Sequence, residues 1–284
     1  MFQTPIVHQP TVFDIGFLEL TGFGLAVLLA FVISQIIAQS ELRRRGHTSD
    51  ADAIPDLILA AVIGTVLGGK LYYAVLTGDF GTLLSRAGLV FWGGLAGGII
   101  VTAIVVVRKK LIVWRIADVA GICIAAGYSV GRTGCWAVGD DYGRPWSGPL
   151  AVEFPNGAPP STAGNMETYF GIPMQPGVAP NEVLAVHPTQ IYEVAMGFLM
   201  FLVLWRARDH KHAEGWLFGA YCLLAGLERF AVEFFRAKDD RFFGMLTAAQ
   251  MIALGFVVAG VLIMWLRWST GEGRRGIHAQ PVAA

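Results

Sequence analysis

The sequence contains few charged residues for its length. Only 15% of its 284 residues are Asp, Glu, Lys or Arg, and its mean hydropathy is +0.56. A soluble globular domain carries about 25% charged residues. The charges are also segregated, which leaves long stretches of the chain with almost none. This composition excludes an ordinary soluble domain and indicates an integral membrane protein.

Other features that are scarce or missing exclude further classes. The first 15 residues contain no Lys or Arg, so we expect no cleaved signal peptide and a first span that remains as an anchor. Three cysteines without paired spacing argue against a disulfide framework or a zinc site. A net charge of zero provides no basic surface for nucleic acid, and no internal repeat supports an inverted-repeat transporter.

Seven apolar segments approach the length of about 20 residues that crosses a bilayer. The sequence therefore predicts an all-α polytopic membrane protein with seven transmembrane helices, forming a single membrane domain over residues 1–284. We place the spans at 16–39, 55–77, 88–107, 114–136, 188–205, 214–235 and 247–268.

The distribution of Lys and Arg predicts the orientation, because such residues are retained on the cytoplasmic side. Thirteen of the 21 lie in the loops or tails after the first, third, fifth and seventh spans or at the span ends beside them, Arg274 and Arg275 among them. The N-terminus is therefore expected outside and the C-terminus in the cytoplasm. Residues 137–186, rich in Pro and Gly, are then expected to form a small extracytoplasmic head loop.

The cations outside these loops point to a site. Charged residues at mid-membrane cost about 2.5–3.5 kcal/mol and usually face a bundle interior. Arg132 ends the fourth span, and Arg229, Glu233 and Arg236 share one helix face at spacings of four and three. The group is either a structural ion-pair ladder or an anion site. Guanidinium forks match the phosphodiester of a membrane phospholipid, which favours the second interpretation.

Several stretches together resemble the bacterial prolipoprotein diacylglyceryl transferases. They are, in order along the chain, VLGGKLYY, FWGGLAGG, GRTGCWAVGDDYGRP, HPTQIYE and ERFAVEFFR. The resemblance implies an inner-membrane enzyme that moves the diacylglyceryl group of phosphatidylglycerol to the lipobox cysteine of prolipoprotein signal peptides. The product is a thioether, and glycerol phosphate is released.

The resemblance also implies site residues. Arg132 matches the family's signature arginine and Arg229 its late essential arginine, followed by Glu233 and Arg236. Gly143 belongs to the glycine-arginine block. His187, Gln190, Tyr192 and Glu193 match the HPxQ-Tyr-Glu block. We assign catalysis to Arg132, Arg229 and Glu233, and assign substrate binding to Arg132, Arg229, Arg236, Gly143, His187, Gln190, Tyr192, Trp92 and Cys135.

The sequence departs from the family pattern at four places. Trp92 stands where many members have a histidine, Cys135 replaces an asparagine, Phe23 a tyrosine and Lys70 an arginine. Without that histidine the base is open, with Glu233, Asp140 and Asp141 as candidates. Cys135 is either a nucleophile or a small buried residue with an inert thiol.

A divergent enzyme using another lipid or thiol acceptor, and a non-catalytic phospholipid or lipoprotein binder or transporter, remain alternatives. No metal or organic cofactor is expected.

Overall fold

In a computed structural model, the protein is mostly helical. The structure describes residues 6–15, 18–84, 90–237, 241–242 and 246–269. The long helices are α1 (Gly22–Arg44), α3 (Ile54–Thr77), α4 (Phe91–Arg108), α5 (Val113–Val138), α7 (Thr189–Ala207), α8 (Trp216–Val232) and α9 (Ala248–Leu266). Two shorter helices are α2 (Thr48–Asp52) and α6 (Ala163–Phe170). Arg274 and Arg275, which were counted in the orientation argument, lie outside the described residues.

Six helical segments of the described chain are long and apolar enough to cross a membrane. The predicted span at 214–235 is absent from this set, because α8 has 17 residues and ends where the chain turns at residues 233–235. At 1.5 Å per residue such a helix is about 25 Å long, against about 30 Å of hydrocarbon. The count of seven therefore stays a prediction, while the polytopic helical architecture is confirmed.

The first predicted span is displaced in the structure. Helix α1 begins at Gly22 and continues to Arg44, whereas the sequence placed this span at 16–39. Residues before it form an antiparallel hairpin of β2 (Val12–Ile15) and β3 (Leu18–Thr21). The sequence VFDI on the first strand contains β-branched Val12 and Ile15 and aromatic Phe13, residue types that favour strands. The other six helices begin and end within about three residues of their predicted limits, an ordinary error for sequence-based boundaries.

Contacts divide the chain into two compact units. The described residues of the first unit fall within 6–34 and 121–269, and those of the second fall within 35–120. In the first unit α5 is central. It packs on α1 where Gly134 approaches Phe23, on α8 where Gly121 approaches Tyr221, and on α7 where Tyr128 approaches Gly197.

Residues 139–188 also belong to the first unit and have a small core of their own. Its buried members include Tyr142, Phe154 and Met166. A three-stranded sheet runs beside them in the order β1 (Ile6–Val7), β4 (Val152–Glu153) and β5 (Ala185–Val186), parallel in the first pair and antiparallel in the second. The predicted head loop is thus a packed segment, and its side of the membrane stays a prediction. A further hairpin, β6 (Arg241–Phe242) with β7 (Leu246–Thr247), precedes α9.

In the second unit, glycines line the contact between helices α3 and α4. A Cβ placed on Gly97 of α4 would lie 2.9 Å from the Cα of Gly68 and 3.1 Å from the carbonyl carbon of Gly64, both on α3. Gly93 and Gly64 complete this glycine seam, which lets the two backbones touch. Small residues such as those of GLAGG are typical of spans whose backbones pack closely, and these glycines do so.

The glycine seam should not tolerate a side chain. Gly97→Leu is expected to lower the free energy of unfolding by about 1–3 kcal/mol, because added atoms must push α3 and α4 apart. Thermal unfolding in detergent measures the effect. Gly255→Leu on α9 is the matched control, since nothing lies within 4 Å of a Cβ built there. Equal melting temperatures for the two variants would contradict the packing argument.

Candidate active site

Arg132 lies near the end of α5 and reaches two carboxylates. One terminal nitrogen, Nη1, donates to Oδ2 of Asp141 at 2.8 Å, and the other, Nη2, donates to Oε2 of Glu193 on α7. Only 13% of the Arg132 side chain is exposed, and Glu193 is almost completely buried. A guanidinium at this depth is stabilised only because carboxylates neutralise it.

Asp141 connects Arg132 to a second arginine. Its Oδ1 accepts a hydrogen bond from Arg236 at 2.8 Å, so its two oxygens join two guanidiniums. Helix α5 ends at Val138, and Gly139 and Asp141 both take positive φ angles, 72° and 57°. These two turns fold the chain back, so that Asp141 faces the helix it has just left. Asp is one of the few residues other than Gly that tolerate this conformation.

Arg229, on α8, is the third member of the cluster. It pairs with Glu233 at 2.6 Å, one helical turn away, and the Nε of Arg236 lies 3.9 Å from the same carboxylate. Arg132, Asp141, Arg236, Glu233 and Arg229 therefore form a continuous row in which cations and anions alternate. Glu193 closes the row from the side, because it also lies 3.6 Å from Arg236. We call these six residues the arginine row.

The pKa values of the two aspartates that follow α5 are shifted in opposite directions. Burial would raise the pKa of Asp141, but the guanidiniums of Arg236 and Arg132 hold it at about 2. Burial, together with the charge of Asp141, raises the pKa of Asp140 to about 6. Asp141 is therefore a permanent anion of the row, whereas Asp140 changes charge in the range where cells and assays operate.

His187 and Tyr192 form an aromatic wall with Phe235, the residue that precedes Arg236. The His187 ring stacks on Trp146 with ring centres 4.3 Å apart, and its edge meets Phe235. Its Nδ1 lies 3.2 Å from the hydroxyl of Tyr192. Burial lowers the pKa of His187, so the ring is neutral near pH 7. This wall offers an apolar surface with one polar edge.

Gly143 is where three segments meet. Its amide donates to the carbonyl of His187, and it forms an isolated antiparallel bridge with Arg236. A Cβ at this position would lie 2.6 Å from the Cβ of His187 and 2.8 Å from Cγ2 of Thr189. Only glycine allows the chain after Asp141 to approach this closely.

Cys135 is buried one turn after Arg132. Its sulfur accepts a hydrogen bond from Nη1 of Arg132 at 3.2 Å. Ligand atoms of Cys135, Asp140 and Asp141 all lie within 4.8 Å of one another, close enough to hold a metal ion. Two guanidiniums already neutralise Asp141, however, so a cation there would meet like charge.

Comparison with known proteins identifies the family. The sequence profile of the prolipoprotein diacylglyceryl transferases matches residues 10–266. The chain belongs to this family. Three relatives are named phosphatidylglycerol–prolipoprotein diacylglyceryl transferase. The one from Clostridium tetani is 27% identical, covering 90% of this chain and 96% of the relative. That from Geobacter sulfurreducens is 30% identical (88% and 94%), and that from Xanthomonas axonopodis pv. citri is also 30% identical (96% and 94%).

Membership and the apolar helices together make the chain a multi-pass bacterial membrane protein. Of the residues predicted for the site, the structure brings Arg132, Arg229, Glu233, Arg236 and Glu193 into the arginine row. Gly143 and Cys135 contact it directly, and the rings of His187 and Tyr192 pack on Phe235, which precedes Arg236. All of them belong to the first unit of this family member.

Two further predicted binding residues, Gln190 and Trp92, are described by their own surroundings. Gln190 is completely buried, and its amide nitrogen donates to the backbone carbonyl of Asp140 at 2.6 Å. With Thr189, which donates to the carbonyl of Asp141, it holds the turn that carries both aspartates. Trp92 begins α4 in the second unit, is half-exposed and packs edge-on against Phe91. Its role in binding stays a prediction.

Sequence reasoning missed how two residues take part in the site. Asp141 was considered only as a candidate base, yet it links two arginines, because the chain after Val138 returns it to the helix end. Tyr128 received no role, although its hydroxyl contacts Glu193 and Glu228. A polar hydroxyl four residues before Arg132 on α5 was the available signal, because i and i+4 share a helix face.

Proposed function

We propose that this chain transfers the diacylglyceryl group of phosphatidylglycerol to a cysteine thiol of a prolipoprotein signal peptide. The arginine row is the observation that supports this function within the family. It concentrates three guanidiniums beside an aromatic wall, a surface suited to a phosphodiester whose glycerol carries apolar chains. Phosphatidylglycerol provides that phosphodiester, and its name appears in those of the relatives.

The reaction is a displacement at carbon. The thiolate sulfur attacks the glycerol carbon that bears the phosphate, the carbon–oxygen bond breaks, and glycerol phosphate leaves with the bonding electrons. The thiol proton is released, and the product is a thioether. The step requires positioning and neutralisation of phosphate charge. A thiol of pKa about 8.5 needs only a modest downward shift, which nearby guanidiniums favour.

The exposed fractions of the three arginine side chains suggest which of them contact the phosphate and which position the others. Arg229 is 34% exposed, against 13% for Arg132 and 18% for Arg236, so Arg229 is the guanidinium most open to a lipid headgroup. We assign phosphate contact to Arg229 and Arg132. Arg236 and Glu233 hold them in register. His187 and Tyr192 face the glycerol, with Gly143 and Gln190 fixing the turn behind them.

The finer topology is part of the proposal. Seven helices span the bacterial inner membrane, α8 being the short one, with the N-terminus outside and the C-terminus in the cytoplasm. Residues 137–186 form an extracytoplasmic head, where the lipobox of an exported substrate arrives. The distribution of Lys and Arg supports this orientation.

Complementation tests the function most directly. The chain should rescue growth of a bacterium depleted of its own transferase, and the purified protein should convert a lipobox peptide to its diacylglyceryl thioether with phosphatidylglycerol as donor. Transfer only from another donor lipid or to another thiol would favour the divergent enzyme that Trp92 and Cys135 suggest. Lipid binding with no transfer to any acceptor would favour a non-catalytic binder.

Asp140 makes lipid binding depend on pH. Because its pKa is about 6, it is neutral below that pH and adds a negative charge beside Asp141 above it. Affinity for short-chain phosphatidylglycerol should therefore fall about fivefold as the pH rises through 6, the effect of about 1 kcal/mol of charge repulsion. Isothermal titration calorimetry at a series of pH values measures it. Asp140→Asn should flatten the profile, and a variant with wild-type pH dependence would contradict the assignment.

A further inference from the structure

Tyr128 joins three helices through a single hydroxyl group. Its oxygen lies 3.2 Å from Oε1 of Glu193 and 3.1 Å from Oε1 of Glu228. Tyr128 belongs to α5, Glu193 to α7 and Glu228 to α8. The Tyr128 ring also lies beneath the guanidinium of Arg132, 5.9 Å from its centre. The hydroxyl of Tyr128 therefore lies between two carboxyl groups, and its single proton can be donated to only one of them at full strength.

One hydroxyl cannot satisfy two carboxylates. The phenol has a single proton to donate, and an ionised carboxyl group only accepts hydrogen bonds. If both glutamates were ionised, one of the two contacts would place lone pairs against lone pairs inside the protein. Sharing the one proton between both acceptors weakens each bond, and both contacts are full two-centre hydrogen bonds only if one carboxyl group carries a proton and donates it to the phenol oxygen.

The ion pairs identify which glutamate holds that proton. One carboxylate oxygen of Glu193 accepts a hydrogen bond from Arg132, and the other lies 3.6 Å from a terminal nitrogen of Arg236. Glu193 is therefore the ionised member of the two glutamates. Glu228 forms no ion pair within the described part of the chain; its one hydrogen bond is to Tyr128. The order of donation is then Glu228 to Tyr128, Tyr128 to Glu193, with Arg132 donating to Glu193 from the other side.

We propose that Glu228 is a positioning residue that acts as a neutral carboxylic acid, holding Arg132 in place through Tyr128 and Glu193. The proposal rests on the proposed transfer, for which Arg132 contacts phosphate. Because α5, α7 and α8 each supply one partner, the three directional bonds fix Glu193 and hence the guanidinium it binds.

The net charge of the arginine row explains why Glu228 is neutral. The three guanidiniums of the arginine row face the carboxylates of Asp141, Glu193 and Glu233, so these groups sum to zero. An ionised Glu228 would make the cluster net negative before a phosphodiester arrives, which would repel that anion. A protonated Glu228 keeps the hydrogen bond to Tyr128 without adding this charge.

Other charges around Glu228 act from longer range. They are the guanidiniums of Arg132 on α5, Arg229 on its own helix and Arg236 beyond it, and the carboxylate of Glu193 on the far side of Tyr128. On the side of α9 the neighbouring contacts of α8, at Gly226, are with Ala253 and Val257, which carry no charge.

Infrared spectroscopy tests the proton directly. In the full-length protein in detergent, held at a pH above the pKa of Asp140, we expect the carbonyl band of a protonated carboxyl group. Glu228→Gln should remove this band, whereas Asp140→Asn, the matched control, should leave it. Absence of the band in the wild type, or its persistence in Glu228→Gln, overturns the proposal. This readout does not depend on transfer, so it decides the question even if the proposed function fails.

Transfer kinetics test the positioning role. Glu228→Ala and Tyr128→Phe should each lower the rate of transfer to a lipobox peptide about tenfold, the value of one broken buried hydrogen bond. Glu228→Gln should restore most of the loss, because its amide can donate to Tyr128 as the acid does. Melting temperatures of all three variants separate misfolding from mispositioning. Gln as damaging as Ala in a folded protein would overturn the neutral-acid assignment, because an ionised glutamate is not mimicked by an amide.

Discussion

Replacing Arg132 by alanine is expected to abolish transfer, with a loss of at least about 10²–10³-fold in kcat/KM. That is the usual cost of deleting one preorganised group that stabilises developing negative charge. Here the deletion also leaves Glu193 buried without its closest cation and frees Asp141 from one of its two partners. The measurement is transfer from phosphatidylglycerol to a lipobox peptide by purified protein.

Stability must be followed in the same experiment. Removing one member of a buried ion pair costs about 3–5 kcal/mol, because the remaining charge stays buried. The double variant Arg132→Met with Glu193→Gln removes both charges and should recover much of the stability without recovering transfer. Arg43→Ala is the surface control, since Arg43 and Asp52 form an exposed pair. Substantial transfer by folded Arg132→Ala would disprove the assigned role.

Replacing Arg229 by alanine should reduce transfer by a similar factor but with a smaller effect on stability. Arg229 is the most exposed guanidinium of the row, and among the described residues its ion pair is with Glu233 alone. The charge that it leaves behind keeps a second cation nearby, because Arg236 lies 3.9 Å from Glu233. The expected result is therefore a catalytic defect with a nearly unchanged melting temperature.

Lysine at position 229 separates charge from geometry. It preserves the positive charge but lacks the planar fork that binds a phosphodiester through two parallel bonds. Arg229→Lys should therefore remain at least about tenfold below the wild type in kcat/KM. Wild-type rates in the lysine variant would show that charge alone suffices, and wild-type rates in the alanine variant would remove Arg229 from the mechanism.

The contrast between these two arginines also bears on the alternatives that the sequence left open. In a purely structural ion-pair ladder, loss of transfer would follow loss of stability in both variants. In a phosphate site, Arg229→Ala separates the two quantities. Its melting temperature and its rate of transfer, measured on one preparation, therefore distinguish the interpretations.

The sequence by itself determined the class of the protein and most of its helices. Twenty-residue apolar runs can satisfy their backbone hydrogen bonds in hydrocarbon only as helices, so composition and length were sufficient. The contact between Arg229 and Glu233 also follows from spacing, since residues four apart share a helix face. The glycines of α3 and α4 indicated close helix packing, because a residue with only a hydrogen on its Cα lets two helix backbones approach.

Tertiary structure decided how the charges are connected. Asp141 joins Arg132 to Arg236, 95 residues away, because Gly139 and Asp141, both with positive φ angles, reverse the chain after α5. Gln190, assigned to the substrate, is instead buried behind that turn. Tyr128 meets Glu193 and Glu228 only because three helices converge on one hydroxyl. A pattern along one helix reveals which residues share a face, but pairing between helices depends on their rotation and depth, which packing of the whole bundle sets.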